Sequence, residues 1–242
     1  MLPGMSIGNW VSAALELLYP GSCLLCGRRL FFDDRPFCPV CSDCLHSLQP
    51  VQATRRCRVC SLSLISEEKL CTRCRRRLYA FANNFSIFEY RGEMRELLYQ
   101  FKFRNRLRLG PVLADFFAAA LKERRDLGLL VPVPGNPVSV RARGWDPMVV
   151  IAGALARNHG FPVSRLLARR PGSAQKTLSY EERRSNLAGK LRMRRPPPPG
   201  TTRVVLLDDV FTTGATASEC AHLLAEAGVQ SVEVLTLTID VP

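Results

Sequence analysis

Two adjacent carboxylates followed by a threonine-rich loop are the residues in this chain best suited to hold a charged small molecule. They lie in residues 204–219, VVLLDDVFTTGATASE. Val204 to Leu207 are β-branched or aliphatic throughout, the pattern of a strand buried on both faces, and the run ends at Asp208 and Asp209. Thr212, Thr213, Gly214, Ala215 and Thr216 then lead into a helical pattern at Ala217, Cys220, Ala221 and Leu224. Such a strand-loop-helix unit attracts an anion, because the free N–H groups and dipole of the first helical turn face it and glycine lets it approach the backbone. The carboxylates sit at the strand's carboxyl end, where ligands of open α/β sheets bind. They would repel a bare phosphate, so they are expected to face sugar hydroxyls or a magnesium ion. A sugar phosphate meets both demands. No lysine follows the glycine, which argues against a P-loop nucleotidase. The bland alternative is an ordinary strand before a threonine-capped helix, and a phosphoacceptor role for the acidic pair leaves the threonine loop unexplained.

A second group of residues has the chemistry of metal ligands. Nine of the ten cysteines lie between positions 23 and 74: Cys23 and Cys26, the overlapping run Cys38, Cys41 and Cys44, then Cys57 and Cys60, and Cys71 and Cys74. Two thiolates at C-x-x-C spacing take two corners of a tetrahedron and a second knuckle supplies the others, so eight ligands hold two structural zinc ions. Cys38 with Cys41 and Cys41 with Cys44 both fit. Spacing to the Cys57 pair favours Cys41 with Cys44, which leaves Cys38 as the alternative ligand. Iron–sulfur ligation, or His46 in place of one thiolate, are the competing readings. Few core-sized aliphatics separate the knuckles, so metal is expected to supply the folding energy. Thiolate pairs of this kind point to a reducing compartment rather than a secreted disulfide scaffold, and the chain is expected in the cytoplasm.

The chain has 242 residues, room for one mid-sized domain and a small one. Its 34 Lys and Arg against 21 Asp and Glu favour phosphate-rich partners, whether a diphosphate substrate, nucleic acid or both. Arg55, Arg56, Arg58, Arg73 and the run Arg75, Arg76, Arg77 either grip such a partner or form a solvated face; no aromatic ladder accompanies them. Residues 9–18 read as a short amphipathic helix stopped by Pro20. The segment carries Glu16, lacks a basic leader and is too short to span a bilayer.

The elements that must position these groups divide the chain into an N-terminal amphipathic helix (1–22), a cysteine ribbon (23–80) and an α/β domain (83–242). In the last, strands are expected at 85–90, 129–134, 164–168, 204–209 and 231–239, and helices at 93–103, 111–125 and from Pro147, with Asp146 as N-cap. Residues 169–202 are polar and basic, with prolines at 196–199. They read as a lid or hood, helical around 180–187, with a stiff proline spacer.

The acidic pair and Thr-Thr-Gly-x-Thr loop resemble the signature of type I phosphoribosyltransferases, which bind phosphoribosyl pyrophosphate (PRPP). The resemblance widens with the paired knuckles, Leu98-x-x-Phe101-Lys102-Phe103, Val131-Pro132-Val133-Pro134, Arg143-Gly144-Trp145, Gln175-x-x-Leu178 and Arg183-x-x-Asn186. Together these are similar to the ComF family, also called ComFC or GntX-like proteins, from about Leu17 to Thr238. The resemblance implies a double zinc ribbon on a type I phosphoribosyltransferase fold: a parallel sheet flanked by helices, with a hood. It also implies a cytoplasmic protein linked to natural competence, handling incoming single-stranded DNA beside DNA-uptake proteins. Where that family has Arg-Gly-Phe-Asn-Gln, this chain has Arg143-Gly144-Trp145-Asp146-Pro147, which loses the amide pair and adds a carboxylate.

On this reading Asp208 and Asp209 hold the ribose hydroxyls of PRPP, directly or through magnesium. Thr212, Thr213, Gly214, Ala215 and Thr216 hold its 5′-phosphate. Lys102, Arg143, Lys176 and Arg183 are the candidates to stabilise departing pyrophosphate, since positive charge placed where negative charge develops lowers the barrier. The rival to an enzyme is a PRPP- or nucleotide-sensing, single-stranded-DNA-binding zinc protein without turnover.

Overall fold

The computed structural model describes residues 21–30, 38–52, 55–66, 68–124, 127–170 and 189–240. The expected helix at 9–18, the helical stretch at 180–187, Lys176 and Arg183 lie outside the described residues. The chain divides into two compact units, Met1–Gln49 and Pro50–Pro242.

In the first unit the Cys23 knuckle is a tight turn, closed by Gly27 N donating to Cys23 O at 2.9 Å and Cys23 N to Arg28 O at 2.8 Å. Helix α1 (Ser42–Ser47) starts directly after Cys41 and carries Cys44 in its first turn. The second unit opens with a knuckle of the same design, in which Cys57 N donates to Leu62 O and Ser61 N to Cys57 O. It closes in a 3-10 turn at Cys74–Arg76.

Beyond it lies a four-stranded, wholly parallel sheet. Its strands are β1 (Asn84–Glu89), β2 (Leu129–Pro132), β5 (Arg203–Phe211) and β6 (Ser231–Ile239), in the spatial order β1-β6-β5-β2. The middle strands are apolar on both faces, with Val204, Val205, Leu206, Leu207, Val234, Leu235 and Leu237 all buried, as a parallel sheet covered on both sides requires. The knuckle of the second unit protects the sheet's β1 edge. Asn84 N donates to Arg58 O, Val51 N to Ile87 O, and Ser61 Oγ links the O of Asn84 to the N of Ser86. Donors and acceptors that an edge strand would leave unpaired are thereby satisfied at these positions.

Helices α2 (Gly92–Phe103) and α3 (Leu109–Lys122) follow β1. The expected start of α3 at Pro111 falls two residues late, because proline is tolerated anywhere in a first turn, where its missing N–H has no partner to lose. After β2 come α4 (Pro137–Arg143) and α5 (Pro147–His159). α4 was not expected from periodicity, yet its ends are well signalled. Asn136 Oδ1 accepts from Val138 N, Pro137 occupies the first turn, and Gly144 closes it at φ 85°. β3 (Leu167–Arg169) pairs antiparallel with β4 (Leu191–Met193), an unexpected strand within 169–202. α6 (Ala215–Glu226) joins β5 to β6. Among the described residues no helix is long and apolar enough to cross a membrane.

Candidate functional site

The carboxyl end of β5 opens into a cavity of about 570 Å³, within the range of small-molecule sites. Its wall brings together Asp208, Asp209, Thr216, Lys102, Arg143 and Asp146, with Arg169 and Asn105 as further polar members. These come from four separate stretches of chain, so only the fold assembles them.

Lys102, on the last turn of α2, places Nζ 2.7 Å from Asp209 Oδ2, with both side chains largely enclosed. Arg143 supports that turn from α4 by donating from Nε to the Lys102 carbonyl at 2.5 Å, a cation at a helix C-terminus. Burial, and then the charge of Asp209, raise the Asp208 carboxyl from 3.8 to about 8, against the opposing pull of Lys102 and a 2.9 Å bond from Asp209 N. Asp208 therefore keeps its proton to higher pH than an ordinary carboxyl. Arg169, at the end of β3, was missed in the sequence. Burial lowers its guanidinium while the charges of Cys220 and Asp208 oppose the shift, and it shares the cavity wall with Asp208.

The threonine loop turns on Gly214, buried at φ 76°, the N-cap of α6. A left-handed backbone here suits only glycine, and a Cβ would meet Phe211 Cζ at 2.7 Å and Tyr79 Cε1 at 2.9 Å. Thr213 Oγ1 accepts from Ala215 N at 3.4 Å. Thr216 reaches the cavity wall. The N-terminus of the twelve-residue α6 thus follows directly on the acidic pair, as anion binding requires.

Asp146 is committed to the backbone. Its Oδ1 accepts from Met148 N as the N-cap of α5, and its Oδ2 from Gly135 N, each at 3.0 Å. It therefore fixes the turn after β2 against α5. Trp145 donates from Nε1 to Asn105 Oδ1 at 3.1 Å, lies 4.8 Å from the Phe101 ring, and carries Arg143 at 5.3 Å over its face.

The cysteines form two clusters. The sulfur atoms of Cys23, Cys26, Cys41 and Cys44 lie within 4.8 Å of one another, as do those of Cys57, Cys60, Cys71 and Cys74. Cys38 instead donates to Val40 O at 3.1 Å. None of the ten cysteines, all among the described residues, is in a disulfide. The donor sets fit zinc. Burial opposes ionisation of Cys23, but N–H bonds from Cys26, Cys41 and Leu25 outweigh it and lower the thiol to about 6. Cys71 N donates to Cys57 Sγ at 3.4 Å, as Cys41 N does to Cys23 Sγ. A zinc ion on four thiolates leaves two excess negative charges, and Arg73 is placed against them. Burial disfavours its charge, but the fields of Cys60, Cys74 and Cys71 raise it on balance.

Residues 14–75 match the family model for the double zinc ribbon domain. Over most of its length the chain is similar to proteins of DNA utilization and competence. It is 29% identical over 231 residues to DNA utilization protein YhgH of Salmonella typhi, covering 91% of this chain and 98% of that one. It is 26% identical over 230 residues to competence protein ComFC of Streptococcus pneumoniae, covering 89% and 98%. These relatives bear out the resemblance to ComF-type proteins. The chain also has a distant structural likeness to hypoxanthine phosphoribosyltransferases. One from Staphylococcus aureus matches at 15% identity and TM-score 0.32, over 55% of this chain and 64% of that one. One from Trypanosoma cruzi matches at 16% and 0.30, over 55% and 66%. The chain thus spans slightly less than two thirds of those structures. A parallel sheet flanked by helices, preceded by cysteine ribbons with two four-thiol sites, bears out the expected fold class.

Proposed function

We propose that the cavity binds PRPP with magnesium and that the protein transfers its phosphoribosyl group to an acceptor, releasing pyrophosphate. One observation carries the reading: the acidic pair and Thr216, in the first turn of α6, line a single cavity with Lys102, Arg143 and Arg169. Asp208 and Asp209 would hold the ribose hydroxyls or the magnesium, which would neutralise charge on the leaving diphosphate. Thr212 to Thr216 would hold the 5′-phosphate. Lys102 lies within reach of the departing pyrophosphate once its bond to Asp209 gives way, with Arg143 and Arg169 beside it. Lys176 and Arg183 are proposed to join them from the hood.

A sensor that keeps PRPP intact is favoured by a second observation. Every carboxylate on the described cavity wall is engaged: Asp209 with Lys102, Asp146 with two amides, Asp208 with the amide of Asp209. None stands free as a general base. A pyrophosphate-release assay with PRPP, magnesium and a panel of nucleobases separates the two readings. Transfer predicts release that depends on one acceptor and vanishes in Asp209→Ala; a sensor predicts PRPP retained with every acceptor.

The relatives are named for DNA utilization and competence, and we extend the proposal to single-stranded DNA and to a cytoplasmic place beside DNA-uptake proteins, which the two four-thiol clusters suit. The surface that supports it is on α2, not the ribbon. Phe103 is 64% exposed, Tyr99 lies 5.5 Å from it, and Arg104 and Arg143 lie over these two rings at 5.7 and 5.8 Å. Alternating aromatic and guanidinium faces stack bases without sequence preference. Phe103→Ala is expected to weaken oligonucleotide binding several-fold in fluorescence anisotropy.

A further inference from the structure

The threonine loop is packed from behind by the segment that leaves the second four-cysteine cluster. Cys74 completes that cluster and begins the 3-10 turn, where Arg77 N donates to Cys74 O at 3.2 Å. Two residues on, Tyr79 reaches the loop. Its hydroxyl donates to the Thr213 carbonyl at 3.3 Å, and its ring packs on Ala215. The Gly214 backbone lies so close to the ring that a Cβ there would be 2.9 Å from Tyr79 Cε1. Ala80 N then donates to Ser218 Oγ in the first turn of α6 at 3.0 Å. Phe81 stands 5.2 Å from the Tyr79 ring and 6.2 Å from the Phe211 ring. A short stretch of chain, tied down at Tyr79 and Ala80, therefore links a metal-ligating cysteine to the backbone of the loop.

The consequence follows from the peptide plane. The carbonyl of one residue and the N–H of the next point in opposite directions across a trans peptide, so a bond that holds the Thr213 oxygen toward the ribbon turns the Gly214 N–H away from it. A buried left-handed glycine between two rings is otherwise the easiest place in the loop for that plane to rotate. We propose that Tyr79 is a positioning residue for the phosphate loop and that metal at Cys57, Cys60, Cys71 and Cys74 sets the loop's affinity for a phosphorylated sugar. The affinity half rests on the PRPP reading above; the positioning half does not. The ribbon of the second unit is then part of the ligand site, and loss of its zinc loosens the loop. By reciprocity, ligand on the loop tightens the metal.

The test uses the zinc-loaded full chain, with Tyr79→Phe, Tyr79→Ala and, as a control, Ile65→Ser at a site 95% exposed. Amide hydrogen exchange of residues 212–216 without ligand is expected to accelerate in Tyr79→Ala, less in Tyr79→Phe, and not in Ile65→Ser, with zinc content and melting temperature held. Titration with PRPP and magnesium is expected to show affinity falling about 3- to 10-fold in Tyr79→Phe, the range of one neutral hydrogen bond, and further in Tyr79→Ala. PRPP is expected to slow chelator release of one zinc equivalent in the wild type but not in Tyr79→Ala. Unchanged loop exchange in Tyr79→Ala overturns the positioning role whatever the ligand. Equal zinc release with and without bound PRPP overturns the coupling. A wild type that binds no PRPP defeats the proposed function and the affinity half with it.

Discussion

Replacing Lys102 with methionine is expected to push two ligands in opposite directions. Its ammonium is 2.7 Å from Asp209, and the two side chains are only 18% and 17% exposed. At an effective dielectric near 20, charges at that separation attract by about 6 kcal/mol, and desolvation of both offsets much of this. Removing one partner of a buried pair costs about 3–5 kcal/mol. Methionine keeps the apolar stem and the cavity admits water, so a loss of about 2–4 kcal/mol of stability is expected for the empty protein. Asp209→Asn is expected to cost a similar amount, and the double variant clearly less than the sum, because the neighbours share one interaction. With the ammonium gone, the acidic pair faces the cavity with one opposing positive charge fewer, so magnesium alone is expected to bind about tenfold more tightly, a change of about 1.4 kcal/mol. PRPP with magnesium is expected to bind more weakly, since a charge facing the diphosphate is lost. Urea unfolding gives the first quantity and calorimetric titration the other two. A variant as stable as the wild type, additive with Asp209→Asn and unchanged toward magnesium, would refute the reasoning.

Three further outcomes are expected. The Asp208 carboxyl, raised to about 8 in the folded state against an ordinary 3.8, lets the folded chain bind the extra proton between those values. Its contribution therefore favours folding at the acid end and is lost as pH rises toward 8. Urea midpoints of the wild type should fall over that window more steeply than those of Asp208→Asn, and PRPP with magnesium should expel a proton near pH 7, seen as a buffer-dependent binding heat. Asp146→Ala removes the acceptor of two amides and should cost about 1–2 kcal/mol as a lost helix cap, with a lower melting temperature. Metal analysis should find two zinc ions per chain, released by chelator in two phases. The faster belongs to the cluster containing exposed Cys26 and half-exposed Cys44, the slower to the cluster whose four cysteines are all buried.

What the sequence conveyed was local. The strand into Asp208 and Asp209, the loop on Gly214, and Asp146 and Pro147 opening α5 are each set by neighbours a few residues apart. Pattern and capping chemistry suffice for them. α4 shows no period, because seven residues are too few to display one, although Asn136, Pro137 and Gly144 mark both its ends. β4 is three residues long and finds its partner β3 across a long intervening segment. The contacts that shape the site span greater distances still. Lys102 meets Asp209, Arg143 meets the carbonyl of Lys102, and Tyr79 meets Thr213 from 134 residues away. None leaves a trace in local spacing. Lys102 and Arg143 were reachable through their motifs, but nothing around Arg169 or Tyr79 marks them before the chain folds.

The central claim is that Asp208, Asp209 and the Gly214 loop form a PRPP site, and calorimetric titration of the zinc-loaded protein with PRPP and magnesium tests it most directly. One ligand per chain is expected to bind the wild type, and the Asp208→Ala/Asp209→Ala variant is expected to lose at least a hundredfold in affinity while retaining both zinc ions. No binding by the wild type, or equal binding by the variant, would contradict the account.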